Sequence, residues 1–361
     1  MPKAGTPYSS LPDSAYWGRL MKRLRQEGGD ASSLGEKFIL DSDRVVSFGS
    51  CFALNIIPHL LSRGIEYCKG RDHFCEFPDL YALDSFSYSE YSCSYGNVYT
   101  ARQAIQLFGD PHDQALLDYQ NASQPIDGQG LLDLRRPGYP WLAKTKDDFI
   151  AKRLYHRAAF VEVISQCTLV IFTIGLTEAW LDKASGACFP VCPGTIAGYF
   201  SPDRHFFHDF TEGEIFEDLH QLKRLISEIN PDARLLLTVS PVPLVATMQG
   251  SNILEANYNS KSRLLLACRR AALEIQDVHY FPSFELVSSS ILSDASAFSE
   301  DGRTPRPDYI DKVMSILIAP PECSQVDDPL IQQGVFSSSV PQKAVGAWVL
   351  GECEESRLDN A

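Results

Sequence analysis

An apolar run, RVVSF at 44–48, stops at Gly49-Ser50-Cys51, and a helical apolar periodicity, FALNIIPHLLSRG, begins at once. A hydroxyl at such a junction faces the unpaired N–H groups of a helix start, which favour negative charge. Ser50 therefore has the placement of a nucleophile whose alkoxide and oxyanion would be stabilised. The same placement suits a serine that only caps the helix. Cys51 is the neighbouring candidate, because helix N-termini favour thiolates; a free cysteine also serves as a small buried apolar group. Ser-x-x-Lys chemistry does not apply, since the third residue after Ser50 is Ala53.

Other chemistry-bearing residues gather after later apolar runs. Glu178 leaves the run TLVIFTIG (168–175) and enters an aromatic context with Trp180. A buried carboxylate needs a partner, and Arg102 and Lys261 are the candidates. Cys188, Cys192, His205 and His208 form the one set from which a zinc site can be drawn. Their spacing departs from common fingers, and no metal is expected. No glycine-rich phosphate loop of the G-x-x-x-x-G-K-[ST] type is present.

The elements that must position these residues are legible as alternating strands and helices. Strands are predicted at 44–48, 168–175, 234–240 and 278–283. Helices are predicted at 52–64, with Pro58 as a local irregularity, and at 100–109, 147–166, 211–231, 260–277 and 307–317. Thr211 and Glu214 have capping-box spacing. Residues 70–98 and 177–210 read as irregular blocks and 110–145 as a long loop. This alternation argues for βαβ units and a mostly parallel sheet, whose ligands sit beyond the carboxyl ends of the strands. Three segments collect there: Gly49-Ser50-Cys51, Gly175-Leu176-Thr177-Glu178 and Ser240-Pro241-Val242-Pro243. The expected organisation is an N-terminal extension (1–40), one α/β domain (41–318) and a peripheral C-terminal tail (319–361).

The chain has 361 residues and a net charge of −14, which argues against general nucleic-acid binding. No apolar run is long enough to span a bilayer. The first twenty residues lack a basic segment followed by an apolar one, so no secretory signal is expected. Ten scattered cysteines without C-x-x-C pairs fit free thiols in a reducing cytosol, and a cytoplasmic location is expected.

The pentapeptide GSCFA at 49–53 resembles the signature of the GSCFA family, a branch of the SGNH-hydrolase superfamily. The resemblance continues in order through YGNVYTARQ (95–103), GLTEAW (175–180), CPGTIAGYF (192–200), NPDARLLLTVSPVPLVAT (230–247), YNSKSRLLLA (258–267) and YFPSFE (280–285), covering about Arg44 to Leu317. It implies a flavodoxin-like three-layer α/β/α sandwich with irregular inserts, and a serine site of esterase or acyltransferase type.

Carried over residue by residue, the resemblance makes Ser50 the nucleophile and Gly96 an oxyanion donor. Where the superfamily has Gly-x-Asn-Asp, this chain has Gly175-Leu176-Thr177-Glu178, so Thr177 would donate through its hydroxyl and Glu178 would orient a neighbour. The superfamily ends with Asp-x-x-His. Asp301 fits the aspartate, but Thr304 stands at the histidine position, and no histidine follows His279. A threonine hydroxyl has no useful basicity near neutral pH. The segment SPDRHFFHDF (201–210) offers His205 first and His208 second as substitute bases.

Three functions follow. The first is a serine esterase or O-acyltransferase acting on an acylated carbohydrate or polysaccharide precursor. It would have no tightly bound cofactor and a coenzyme A thioester as donor, with the Ser50 backbone N–H joining Gly96 and Thr177 in the oxyanion site. The second is a non-catalytic binding protein that keeps the fold and lacks the base. The third is a hydrolase using a metal or Cys51.

Overall fold

Strand β1 (Arg44–Gly49) is the hub of the sheet because its β-branched and aromatic side chains are buried on both faces. The protein's structure, a computed structural model, describes residues 6–25, 34, 38–70, 91–109, 123–126, 130–135, 142–196, 198–293 and 295–318. The predicted 319–361 tail lies outside the described residues. The further strands are β2 (Glu66–Tyr67), β3 (Ser123–Ile126), β4 (Gly130–Asp133), β5 (Leu169–Ile174), β6 (Glu178–Asp182), β7 (Cys188–Phe189), β8 (His205–Asp209), β9 (Arg234–Val239) and β10 (Val278–Phe281).

The main sheet has five strands in the order β10-β9-β5-β1-β2, and every pairing is parallel. Counted along the chain these five strands run 2-1-3-4-5, the flavodoxin-like order. Helices cover both faces. Val46, Phe48, Val170, Phe172, Leu235 and Leu237 pack with the helices Ala101–Phe108, Lys146–Gln166, Glu212–Ile229 and Ile253–Glu274. Val45, Leu169, Ile171, Leu236 and Phe281 face Ile56–Ser62, Ser283–Ser288 and Pro307–Leu317. The period-two alternation of each strand thus feeds two cores, giving the three-layer α/β sandwich. Buried Leu24 and the bond from Arg25 Nε to Ile291 O tie the helix Trp17–Arg25 to the second core.

Several elements differ from the expectations. Residues 51–64 are not one α-helix. A 3-10 turn, Cys51–Asn55, precedes the short α-helix Ile56–Ser62, whose first turn accommodates Pro58. The block 177–210 is not irregular: β6 pairs antiparallel with β7 and β8 in a small second sheet. The 110–145 loop contains the hairpin β3–β4. The helix expected from 260 begins at Ile253, because the Asn252 side chain accepts the Glu255 N–H and caps it there. The predicted capping box is present, with Thr211 and Glu214 bonded reciprocally.

Candidate functional site

The chain leaves β1, pairs β2 on one side, and returns to place β5 on the other. The β1–β5 boundary is therefore the switch point of the sheet, where the ends of adjacent strands open a crevice. Ser50 follows β1 and Gly175 follows β5 at that boundary. They are in intimate contact: a Cβ built on Gly175 would lie 3.2 Å from Ser50 Cβ and 3.8 Å from Ser50 Oγ. Glycine at 175 leaves the space over the serine free.

Ser50 occupies the N-cap position of the 3-10 turn, yet its side chain makes no capping hydrogen bond. Its Oγ is buried and has no hydrogen-bond partner. The capping explanation of this serine therefore does not hold. Its backbone N–H, expected at an oxyanion, instead donates to Thr173 O at 2.9 Å and extends the β1–β5 ladder. The α-helix behind it starts only at Ile56, so a full macrodipole does not begin at Ser50.

The block around Gly96 meets the same junction. Asn97 bridges Gly49, and Val98 N–H donates to Gly49 O at 2.7 Å. Gly96 has φ +69°, the left-handed region that favours glycine. The Tyr91 hydroxyl holds Asn97 Oδ1 at 2.6 Å. Gln103 receives Tyr99 N–H and donates to the carbonyls of Asn97 and Arg135, which fixes the whole turn.

Thr177 is fully buried, and its hydroxyl donates to Asp209 Oδ1 at 2.7 Å with Ser260 Oγ at 3.0 Å. Asp209 Oδ2 in turn receives Arg263. The single Thr177 proton is thus engaged in joining the small sheet to the helix Ile253–Glu274. Lys261 is also buried, and its Nζ donates to Gly175 O at 2.8 Å.

Glu178 does not pair with Arg102 or Lys261. Its carboxylate accepts Thr247 Oγ1 at 2.7 Å, Gln249 Nε2 at 2.8 Å and Met248 N–H at 3.3 Å, while Arg102 binds Asp218. Burial raises the Glu178 pKa, Asp209 adds to the rise, and the three donors oppose it. This partner set was not visible in the sequence, because it lies about seventy residues away in a segment without periodicity.

The two β8 histidines bond groups other than Ser50, and His205 Nε2 is buried without a partner. His205 pairs with Asp182 at the far end of β8, and its Nδ1 accepts Ser201 N–H at 3.2 Å. Its ring lies among Phe189 and Phe200. Burial and the Arg204 charge lower its pKa, with Asp182 opposing, which favours its neutral form. His208 Nε2 bonds Glu214 Oε1 at 2.9 Å. Neither histidine hydrogen-bonds Ser50, whose Oγ is unpartnered. His73 and His112 lie outside the described residues.

Asp301 and Thr304 form a closed turn. Asp301 Oδ1 accepts the N–H groups of Arg303 and Thr304, and the Thr304 hydroxyl donates to Asp301 Oδ2 at 2.5 Å. Partial burial opposes the shift, but the Thr304 hydroxyl, these amides and the Arg303 charge hold the Asp301 pKa below its ordinary value. Arg303 Nε donates to Pro243 O, in the segment leaving β9, so the turn sits on the carboxyl side of the sheet.

Among the described residues no group of three His, Cys, Asp or Glu side chains is placed to hold a metal ion. Cys188 Sγ lies instead against Thr100 Oγ1. No helix among the described residues is long and apolar enough to cross a membrane.

A cavity of about 330 Å³ adjoins the crevice, with Leu176, Glu178, Trp180, Val191, Leu244 and Met248 in its wall. Leu176 directly follows Gly175. Sequence reasoning missed this cavity, because its walls come from four separate segments.

A family model described as GSCFA family matches residues 44–316, and the chain belongs to that family. No curated protein and no solved structure matches the chain.

Proposed function

We propose that this GSCFA-family chain binds an acylated ligand at Ser50 and does not turn it over. On this reading it keeps the serine-bearing crevice of an SGNH-like hydrolase and has lost the imidazole that would activate it. The observation that carries the reading is the Asp301–Thr304 turn. Where the resemblance expects a histidine, the Thr304 hydroxyl donates to Asp301 Oδ2. A hydroxyl cannot take the serine proton at neutral pH. His205 and His208, the substitute bases, are bonded to Ser201 and Glu214.

One observation favours the other reading, a serine esterase or O-acyltransferase. The Ser50 hydroxyl is buried without a partner, and such groups are retained mostly where a ligand, a water or a reaction uses them. On that reading Ser50 attacks an acyl carbonyl of a carbohydrate or polysaccharide precursor, or of a soluble donor such as a coenzyme A thioester.

Intact-protein mass spectrometry after exposure to a fluorophosphonate separates the two. The expected result is no adduct on the folded wild-type protein or on Ser50→Ala. Thr304→His is expected to gain an adduct that the double variant lacks. A stoichiometric wild-type adduct that disappears in Ser50→Ala would overturn the binding reading and establish an activated serine.

A further inference from the structure

We infer that the cavity beside Ser50 receives an uncharged linear acyl chain of about six to ten carbons, with Glu178 as the positioning residue for its outer wall. The inference rests on the acyl-ligand reading for the group presented to Ser50. The pocket itself follows from its walls.

Position is the first argument. Gly175 lies against Ser50, and the next residue, Leu176, lines the cavity. Leu176 and Leu244, both on the cavity wall, pack with Tyr99 and Ala256 in one apolar cluster. A chain carried by a carbonyl at Ser50 and directed past Gly175 would meet this cluster before any charged side chain of the wall.

Size and chemistry are the second. At about 30 Å³ per heavy atom, the share a water takes in the liquid, a cavity of about 330 Å³ holds about eleven heavy atoms. The wall is built mainly from aliphatic and aromatic side chains, and Glu178 is the one charged lining residue among the described residues. Its carboxylate is turned to the protein's own donors, Thr247, Met248 and Gln249. An anionic ligand placed there would meet a like charge in an apolar setting.

The wall is the third. Leu244, Ala246, Thr247 and Met248 all come from the segment between β9 and the helix Ile253–Glu274. Three donors on consecutive residues of that segment converge on Glu178, and Asn259 Nδ2 donates to Gln249 Oε1. One carboxylate thus straps the outer wall to β6.

The test is isothermal titration with 1-monoacylglycerols of four, six, eight and ten carbons, below their critical micelle concentrations. Each added methylene should tighten Kd by about fourfold, levelling off near the cavity length. Octanoate should bind at least tenfold more weakly than 1-monooctanoylglycerol. Ala246→Phe, at an exposed position on the wall, should weaken the eight-carbon ligand at least tenfold without lowering the melting temperature. Glu178→Ala should flatten the chain-length series and Glu178→Gln should keep it. Ser50→Ala should leave the increment per methylene intact. No chain-length dependence, or an Ala246→Phe variant that binds like wild type, would overturn the pocket. A fluorophosphonate adduct on the wild type alongside the expected series would overturn only the binding-without-turnover reading.

Discussion

Replacing Gly49 by alanine should disrupt the strand end that carries Ser50. Gly49 has φ +142°, a backbone conformation that L side chains rarely adopt. A Cβ there would lie 2.4 Å from Thr173 O, 2.7 Å from Thr173 N and 2.9 Å from Thr173 C. These are backbone atoms of the partner strand, held in register opposite Gly49, so no side chain can swing aside. The strands would have to part by about 1 Å to restore ordinary contact. Two hydrogen bonds flank the clash: Ser50 N–H to Thr173 O at 2.9 Å and Val98 N–H to Gly49 O at 2.7 Å.

Losing both bonds removes about 2 kcal/mol. Overpacking adds about 1–3 kcal/mol and the strained dihedral about 1–3 kcal/mol. The total, about 4–8 kcal/mol, compares with about 5–15 kcal/mol of stability for a typical domain. At about 2–4 °C per kcal/mol in large domains, the melting temperature should fall by at least about 8 °C. Urea unfolding followed by circular dichroism reads the loss directly. Gly213→Ala is the control, since a Cβ there meets nothing within 4 Å; it should stay within about 1 kcal/mol of wild type. A Gly49→Ala protein with a wild-type midpoint would refute the argument that close approach to Thr173 requires this glycine.

Two further outcomes follow from protonation. The raised Glu178 pKa means the folded state holds that proton more tightly than the unfolded chain, whose value is near 4.5. The resulting stabilisation is complete below pH 4.5 and is lost as pH rises through the folded value. The stability of wild type relative to Glu178→Gln, from urea titrations at pH 4 to 8, should fall as pH rises; a flat difference would count against it. Burial pushes the Cys192 thiol up to about 11. Its alkylation by iodoacetamide should be about two hundredfold slower than that of an ordinary thiol at pH 8 and climb tenfold per pH unit to pH 10. A rate that saturates below pH 9 would refute this, as read by peptide mass spectrometry.

The parallel sheet was legible because its strands are buried on both faces and appear as unbroken apolar runs, such as Leu169–Ile174. Helices with side-chain caps were legible to within a residue at Thr100 and Thr211. The small antiparallel sheet was not, because EAWLD and HFFHD mix charged and aromatic residues on short strands. The extra two turns before Ser260 were missed because ILEANYN carries a polar face that reads as loop until Asn252 is seen to cap it. Within the site, residue types pointed to Ser50, but not to which polar groups are already engaged. Those engagements span long sequence separations: Ser50 to Thr173, Thr177 to Asp209, Glu178 to Thr247.

These engagements decide what chemistry the crevice can support. Of the three donors expected at an oxyanion, the Ser50 N–H belongs to the β1–β5 ladder and the Thr177 hydroxyl to Asp209. The Gly96 N–H donates to no group among the described residues and is the one still available. Removing one oxyanion donor from a serine hydrolase lowers kcat by about 10²–10³, and losing a general base lowers it by about 10²–10⁴. On the binding reading, in which two donors and the base are lost and the factors combine, the rate falls about 10⁶-fold or more below that of a complete site, a barrier rise of about 8 kcal/mol. Such a rate is indistinguishable from none in an ordinary ester assay. The serine crevice and apolar cavity need none of these groups to hold a ligand, which is why binding assays and stoichiometric labelling, rather than turnover, are the measurements that resolve this protein's role.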